Sequence, residues 1–254
     1  MDFCLQLYSA RNFQPWKEVI QETALLGYTQ VEGFEELYPT LAAAQEVREL
    51  LDQYDLDMPS GHFDLKDLED NLDQCIKIAV LLGMHTIFAP YLTPEDRPKT
   101  KHEWTVFAHR LEHLAGTLKH KGFHFGWHNH DFEFRPLPDG TIPMEIIISK
   151  APSVEWEIDA AWIIKADLDP QDWIEAHGTR ITAVHIKDIA PEGEGTDEDG
   201  WADVGFGTVP WGHILAALQE KSRTKIYILE HDDPNNFLRF ADRSLTSLKM
   251  LEGV

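Results

Sequence analysis

The chain has 254 residues, 44 of them acidic and 22 basic, for a formal charge of −22. With 43% hydrophobic and 26% charged residues it has the balance of a soluble globular protein, and its length suits one domain spanning 1–254 around one large core. The acidity argues against nucleic acid as a partner, because phosphate backbones call for a basic patch. No apolar run approaches the roughly 18 residues of a membrane span, so no membrane association is expected.

Eight short apolar runs alternate with eight longer amphipathic stretches. In chain order the candidate strands are 3–8, 28–34, 56–63, 85–91, 123–130, 154–159, 181–187 and 225–231. The candidate helices cover 15–27, 40–53, 64–82, 100–121, 142–150, 170–178, 210–221 and 235–252. The stretch 64–82 is the most regular, with Leu65, Leu68, Leu72, Cys75, Ile76, Ala79 and Leu82 on one stripe. Pro15, Pro170 and Pro210 stand near helix starts, and Gly27, Gly83 and Gly122 near helix ends. Eight β/α units in this length predict an α/β fold, a single (β/α)8 TIM barrel. The rival, an open doubly wound sheet, lacks its Gly-rich turn, since YSARNFQPW follows the first strand. One long irregular stretch, 189–209, would lie over the barrel mouth. The N-terminus carries no signal-like apolar run, and Cys4 and Cys75 form neither a framework nor a CxxC pair. Both point to the cytoplasm.

Barrel chemistry gathers where strands end, and every candidate strand ends on polar groups: Gln6, Glu32, His62, Tyr91, His128 with His130, Asp159, His185 with Lys187, and Glu230. Alternation puts these groups on the inward side in the later strands. His124, Gly126, His128 and His130 share a face, as do Glu155, Glu157 and Asp159, and Ala183, His185 and Lys187. Asp159, His185 and Glu230 together offer one imidazole and two carboxylates, donors suited to a divalent metal such as Mn, Mg, Fe, Co or Zn.

The order of GYTQVEGF (27–34), GHF (61–63), GWHNHDFEF (126–134), EIDAAW (157–162), RITAVHIKD (180–188), VGFGTVPW (204–211) and YILEHD (227–232) resembles the xylose isomerase-like barrel family. That family includes sugar isomerases and epimerases, inosose dehydratase-type enzymes and endonuclease IV-type repair nucleases. The resemblance implies one divalent metal, with manganese the leading expectation, held by a Glu, an Asp, a His and a Glu from strands five to eight. The last three fall on Asp159, His185 and Glu230. At the first position this chain has His128, which would either complete the shell or hold a base over the substrate, with Glu133 as a replacement ligand. Losing one carboxylate there favours one-sided chemistry over symmetric two-base epimerisation.

The implied activity is metal-dependent isomerisation or epimerisation of a sugar, keto-sugar or inositol derivative, with elimination of water as the alternative outcome. Glu230, His128 and Lys187 are the expected catalytic groups. His62, Glu32, Trp162 and His130 are the expected substrate-binding ones. Each has a plainer reading: Glu32 could anchor a loop, His62 and His130 could be structural, Trp162 could pack beneath a helix, and Lys187 could pair with Glu157. A nuclease is disfavoured because the position after strand four reads APYL without a His, and Trp162 replaces another expected ligand. A non-catalytic sugar-binding protein is a further alternative. The family leaning is toward a homodimer.

Overall fold

The computed structural model describes residues 2–252. Eight parallel strands close into a barrel: β1 (Phe3–Gln6), β2 (Gln30–Gly33), β3 (Asp57–His62), β4 (Thr86–Ala89), β5 (His124–His128), β6 (Glu155–Asp159), β7 (Ile181–Ile186) and β10 (Ile226–Leu229). Consecutive barrel strands are neighbours, and β10 closes the ring between β7 and β1, with Ile228 opposite both His185 and Cys4. A short antiparallel ribbon of β8 (Asp188–Ile189) and β9 (Trp201–Ala202) lies outside the ring.

Strand alternation sorts the side chains into two cores. Outward residues such as Leu5, Val31, Ile87, Trp127, Ile158, Val184 and Leu229 pack in one large cluster with the helices. Inward residues Cys4, Phe88, Ala183 and Ile228 form a small separate cluster within the barrel. Gly126 makes room for it, because a Cβ there would stand 2.5 Å from the Phe88 ring. The next inward residues along the strands are the polar ones, so an apolar plug lies beneath a polar floor.

The helices are α1 (Trp16–Leu25), α2 (Leu41–Tyr54), α3 (Leu65–Asp70), α4 (Leu72–Leu82), α5 (Lys101–His120), α6 (Pro143–Lys150), α7 (Ala160–Lys165), α8 (Pro170–His177), α9 (Trp211–Lys221) and α10 (Phe237–Glu252). Thr100 and Glu103 form a reciprocal capping box that starts α5. Gly83 takes the left-handed conformation that ends α4, with φ of 82°.

Three expectations need correction. The helix predicted over 64–82 is two helices, because Asn71 closes α3 by bonding back to Asp67 through both its backbone and its side chain. The apolar stripe persists across the break. The extra helix α7 was not expected; Asp159 starts it by accepting from the Trp162 N–H. Seven of the eight strands also end one or two residues earlier than predicted, so that Tyr91, His130, Lys187 and Glu230 lie just beyond their strands.

The stretch 189–209 is ordered by one carboxylate. Asp188, 1% exposed, accepts N–H groups from Ile189, Gly205, Gly207 and Val209. A side chain at Gly207 would collide with that carboxylate. Replacing Asp188 with Ala would strand these donors and should cost about 2–4 kcal/mol of stability, measurable by urea unfolding.

Candidate functional site

The strand ends open into a cleft of about 820 Å³, lined by Tyr8, Arg11, Phe34, His62, Tyr91, Arg97, His128, His130, Trp162, Lys187, Glu230 and Asp232 among others. Beneath it lie two groups of donors joined by one imidazole. His185 places Nδ1 2.7 Å from Glu230 Oε2, and Nε2 2.8 Å from Glu32 Oε2 and 3.4 Å from Glu157 Oε2.

The upper group is Asp159, His185 and Glu230, whose donor atoms all lie within 4.8 Å of one another. Asp159 Oδ1 is taken by the Trp162 N–H, while the buried Oδ2 accepts no hydrogen bond. Lys187 Nζ stands 3.3 Å from that oxygen, 2.9 Å from Glu230 Oε2 and 2.6 Å from Asp232 Oδ1. Burial pushes the Asp159 carboxyl up to about 6 despite Lys187 and His185, with a smaller push from the Glu230 charge. Burial acts the same way on Glu230, but there Lys187 and His185 prevail and hold the carboxyl well below its ordinary range.

The deeper group is His62, His128, Glu157 and His185. Glu157 Oε2 meets His62 Nε2 at 2.7 Å and His128 Nδ1 at 3.2 Å, while its Oε1 is buried without a hydrogen bond. Burial would lower the His62 pKa, but Glu32 and Glu157 raise it to about 10 and hold the ring as an imidazolium. For His185 the same contest, won by Glu157 and Glu230, also lifts the pKa. Burial and the nearby His185 keep His128 neutral. Burial and Lys187 do so for His130.

Charge decides whether this floor suits a divalent metal. Glu32, Glu157, Asp159, Glu230 and Asp232 bring five carboxylates against three cations, Lys187, His62 and His185, leaving two negative charges. An oxygen–imidazole donor set, surplus negative charge and an Asp159 Oδ2 that Lys187 touches but no donor hydrogen-bonds fit such an ion, which would take the place of the His185 proton.

Several sequence expectations change in detail. Glu32 is fully buried and is not part of the cleft lining; Ser60 and Gln6 donate to it and His185 and His62 flank it. His128 falls in the deeper group, outside the Asp159–His185–Glu230 set. Lys187 pairs with carboxylates above it and not with Glu157. His130 has left the strand, so alternation did not place it, yet it lines the cleft with a buried Nδ1 lacking a partner. Trp162 also lines the cleft, its ring edge-on to Trp201 at 5.0 Å. Asn129, between the two histidines, locks β5 to β6 by accepting from the Asp159 N–H and Trp156 Nε1 and donating to the Asp159 carbonyl.

Glu133 is no replacement ligand. Trp127 Nε1 donates to one of its oxygens and the His130 N–H to the other, so it braces the loop that carries His130. Burial pushes its carboxyl up to about 8 against those donors. A folded pKa above the unfolded value of about 4.5 gives stability that is complete below 4.5 and lost as pH rises through about 8. Urea unfolding between these pH values should show a one-proton slope, near 1.4 kcal/mol per pH unit, that Glu133→Gln removes.

Residues 20–252 match the sequence profile of the xylose isomerase-like TIM barrel family. The chain belongs to that family. Among solved structures, this xylose isomerase-like barrel is similar to a sugar phosphate isomerase/epimerase from Parabacteroides distasonis, with TM-score 0.79 and 21% identity over 97% of this chain and 93% of the other. A probable 3-DHS dehydratase, AsbF, from Bacillus anthracis gives 0.76 and 14% over 98% and 99%. The IolI protein, solved with a bound zinc atom, gives 0.74 and 17% over 99% and 96%. At these identities the likeness establishes the fold. No curated protein matches the chain significantly.

Reasoning from sequence missed Glu157 and Asp232 as members of the floor, and Arg11, Arg97 and Tyr8 as cleft lining. Strand alternation carried a signal for Glu157, which is the inward residue next below Asp159.

Proposed function

We propose that this xylose isomerase-like barrel is a divalent-metal-dependent isomerase or epimerase of a sugar, keto-sugar or cyclitol. The carrying observation is the convergence of Asp159, His185 and Glu230 beneath an 820 Å³ cleft, on a floor with surplus negative charge. Asp159, His185 and Glu230 would hold the metal, which supplies Lewis-acid stabilisation of the oxyanion that forms when a carbon beside a carbonyl loses its proton. Manganese is the leading expectation on family grounds.

Glu230 is the proposed base. Its Oε2 is engaged by His185 and Lys187, and the residue lines the cleft floor. The neutral imidazoles of His128 and His130, both in the cleft lining, are groups of a different kind for moving a proton on substrate oxygens. A carboxylate on one side and imidazoles on the other favour one-sided isomerisation over a symmetric two-carboxylate epimerisation. Trp162 and Tyr91 offer ring faces to the C–H side of a sugar.

The cleft lining has eight acidic residues against four cations, Arg11, Arg97, Lys187 and the His62 imidazolium, which favours an uncharged substrate over a sugar phosphate. Elimination of water is the second reading. It draws support from the Lys187 ammonium in the lining, a group able to protonate a departing hydroxide. The test is a panel of keto-sugars and inososes in deuterated water with Mn²⁺ added. Deuterium incorporated at one carbon with the skeleton intact supports isomerisation or epimerisation, and a new enone absorbance supports elimination. Binding without exchange or turnover in every metal state would make the protein a sugar-binding module.

A further inference from the structure

The upper donor group already holds a cation made by the chain itself. Lys187 is 2% exposed, and its ammonium touches three carboxylates, at 2.6 Å for Asp232, 2.9 Å for Glu230 and 3.3 Å for Asp159. Lys187 follows His185 by two residues and stands just past the end of β7, where its ammonium reaches the carboxylates at the mouth. Two of the oxygens it touches, Asp159 Oδ2 and Glu230 Oε2, belong to residues that a divalent ion would need. An ammonium and a divalent ion repel strongly at such separations in a buried site, so they cannot occupy it together.

We propose that Lys187 is a displaceable competitor for the metal site, holding Asp159 and Glu230 until a divalent ion replaces it. This rests on the metal-dependent reading of the same site. Asp232 gives the mechanism its second position. It lies outside the donor group yet makes the shortest of the three contacts with the ammonium. Lys187 can therefore give up Asp159 and Glu230 while keeping Asp232 as its anchor. The rings of Trp201 and Trp162 lie 5.1 and 5.5 Å from Nζ but are already faced by Lys165 at 3.6 and 5.0 Å, so Asp232 is the anchor that carries the shift. Asp232 acts here as a positioning residue, and the site trades metal affinity for a partly neutralised floor in the metal-free protein.

The experiment is titration of the intact protein with Mn²⁺, counting the free ion by electron paramagnetic resonance, for wild type, Lys187→Met and Lys187→Arg. Lys187→Met should bind Mn²⁺ at least tenfold more tightly than wild type and melt at a lower temperature in chelator. Lys187→Arg, which keeps the charge, should show no tightening. Lys187→Gln should reproduce the tightening and serves in place of Lys187→Met if that variant does not fold. Equal affinities in wild type and the neutral variants would overturn the proposal while leaving the metal site in place. Absence of Mn²⁺ binding in every variant would overturn the metal reading and this proposal with it.

Discussion

Replacing His185 with alanine should abolish both divalent-metal retention and turnover, with activity falling at least about 10³-fold. The reason is its position between the two groups. One nitrogen meets Glu230 and the other lies between Glu32 and Glu157, so a single fully buried ring balances three carboxylates. Its removal leaves those carboxylates facing a cavity, with His62, His128, Lys187, Gln6 and Ser60 as their remaining neighbours. Breaking buried ion pairs in this way typically costs about 3–5 kcal/mol, so urea unfolding should show a large loss alongside the loss of metal. A His185→Ala protein with wild-type stability would mean that the floor is not organised around this imidazole.

Glu230→Gln should behave differently. Glutamine keeps an oxygen that can accept from His185 Nδ1, and it removes one of the surplus negative charges. Stability should therefore change by no more than about 1–2 kcal/mol. The amide is not a base, however, and kcat should fall about 10²–10⁴-fold. Steady-state kinetics beside urea unfolding separates the two effects. A variant that retains full kcat would move the base to another residue, with His128 and His130 as the neutral groups next in line.

The two variants draw on different parts of the sequence signal. Asp159, His185 and Glu230 were legible because barrel geometry puts strand-end residues at one mouth, and a two-residue period tells inward from outward. His128 was legible as an inward residue, but its partner was not. The 3.2 Å contact with Glu157 depends on how β5 and β6 pair, with His128 directly opposite Glu157. Glu32 was misread for the same reason: its partners Ser60 and His185 lie 28 and 153 residues away, beyond what a local pattern can convey. His130 and Asp232 follow the last strand residues, where alternation has ceased to apply. Glu133 looked like a reserve ligand because it is a carboxylate close in sequence to His128. The turn of Phe132–Phe134 instead aims it at Trp127 and the His130 backbone.

A histidine stands in place of a strand-five carboxylate, yet Glu157 and Asp232 bring negative charge around the same volume. A cation is therefore needed more strongly than a count of ligand positions implied. Lys187 supplies part of it and a divalent ion would supply the rest.

Metal content tests this account most directly. Wild type and Asp159→Ala, loaded with Mn²⁺ and passed through a desalting column, would be compared by elemental analysis with far-UV circular dichroism as the control for folding. Wild type should retain about one ion per chain and Asp159→Ala almost none, with the two spectra superimposable. Full metal content in Asp159→Ala, or none in wild type, would contradict a metal centre at Asp159, His185 and Glu230.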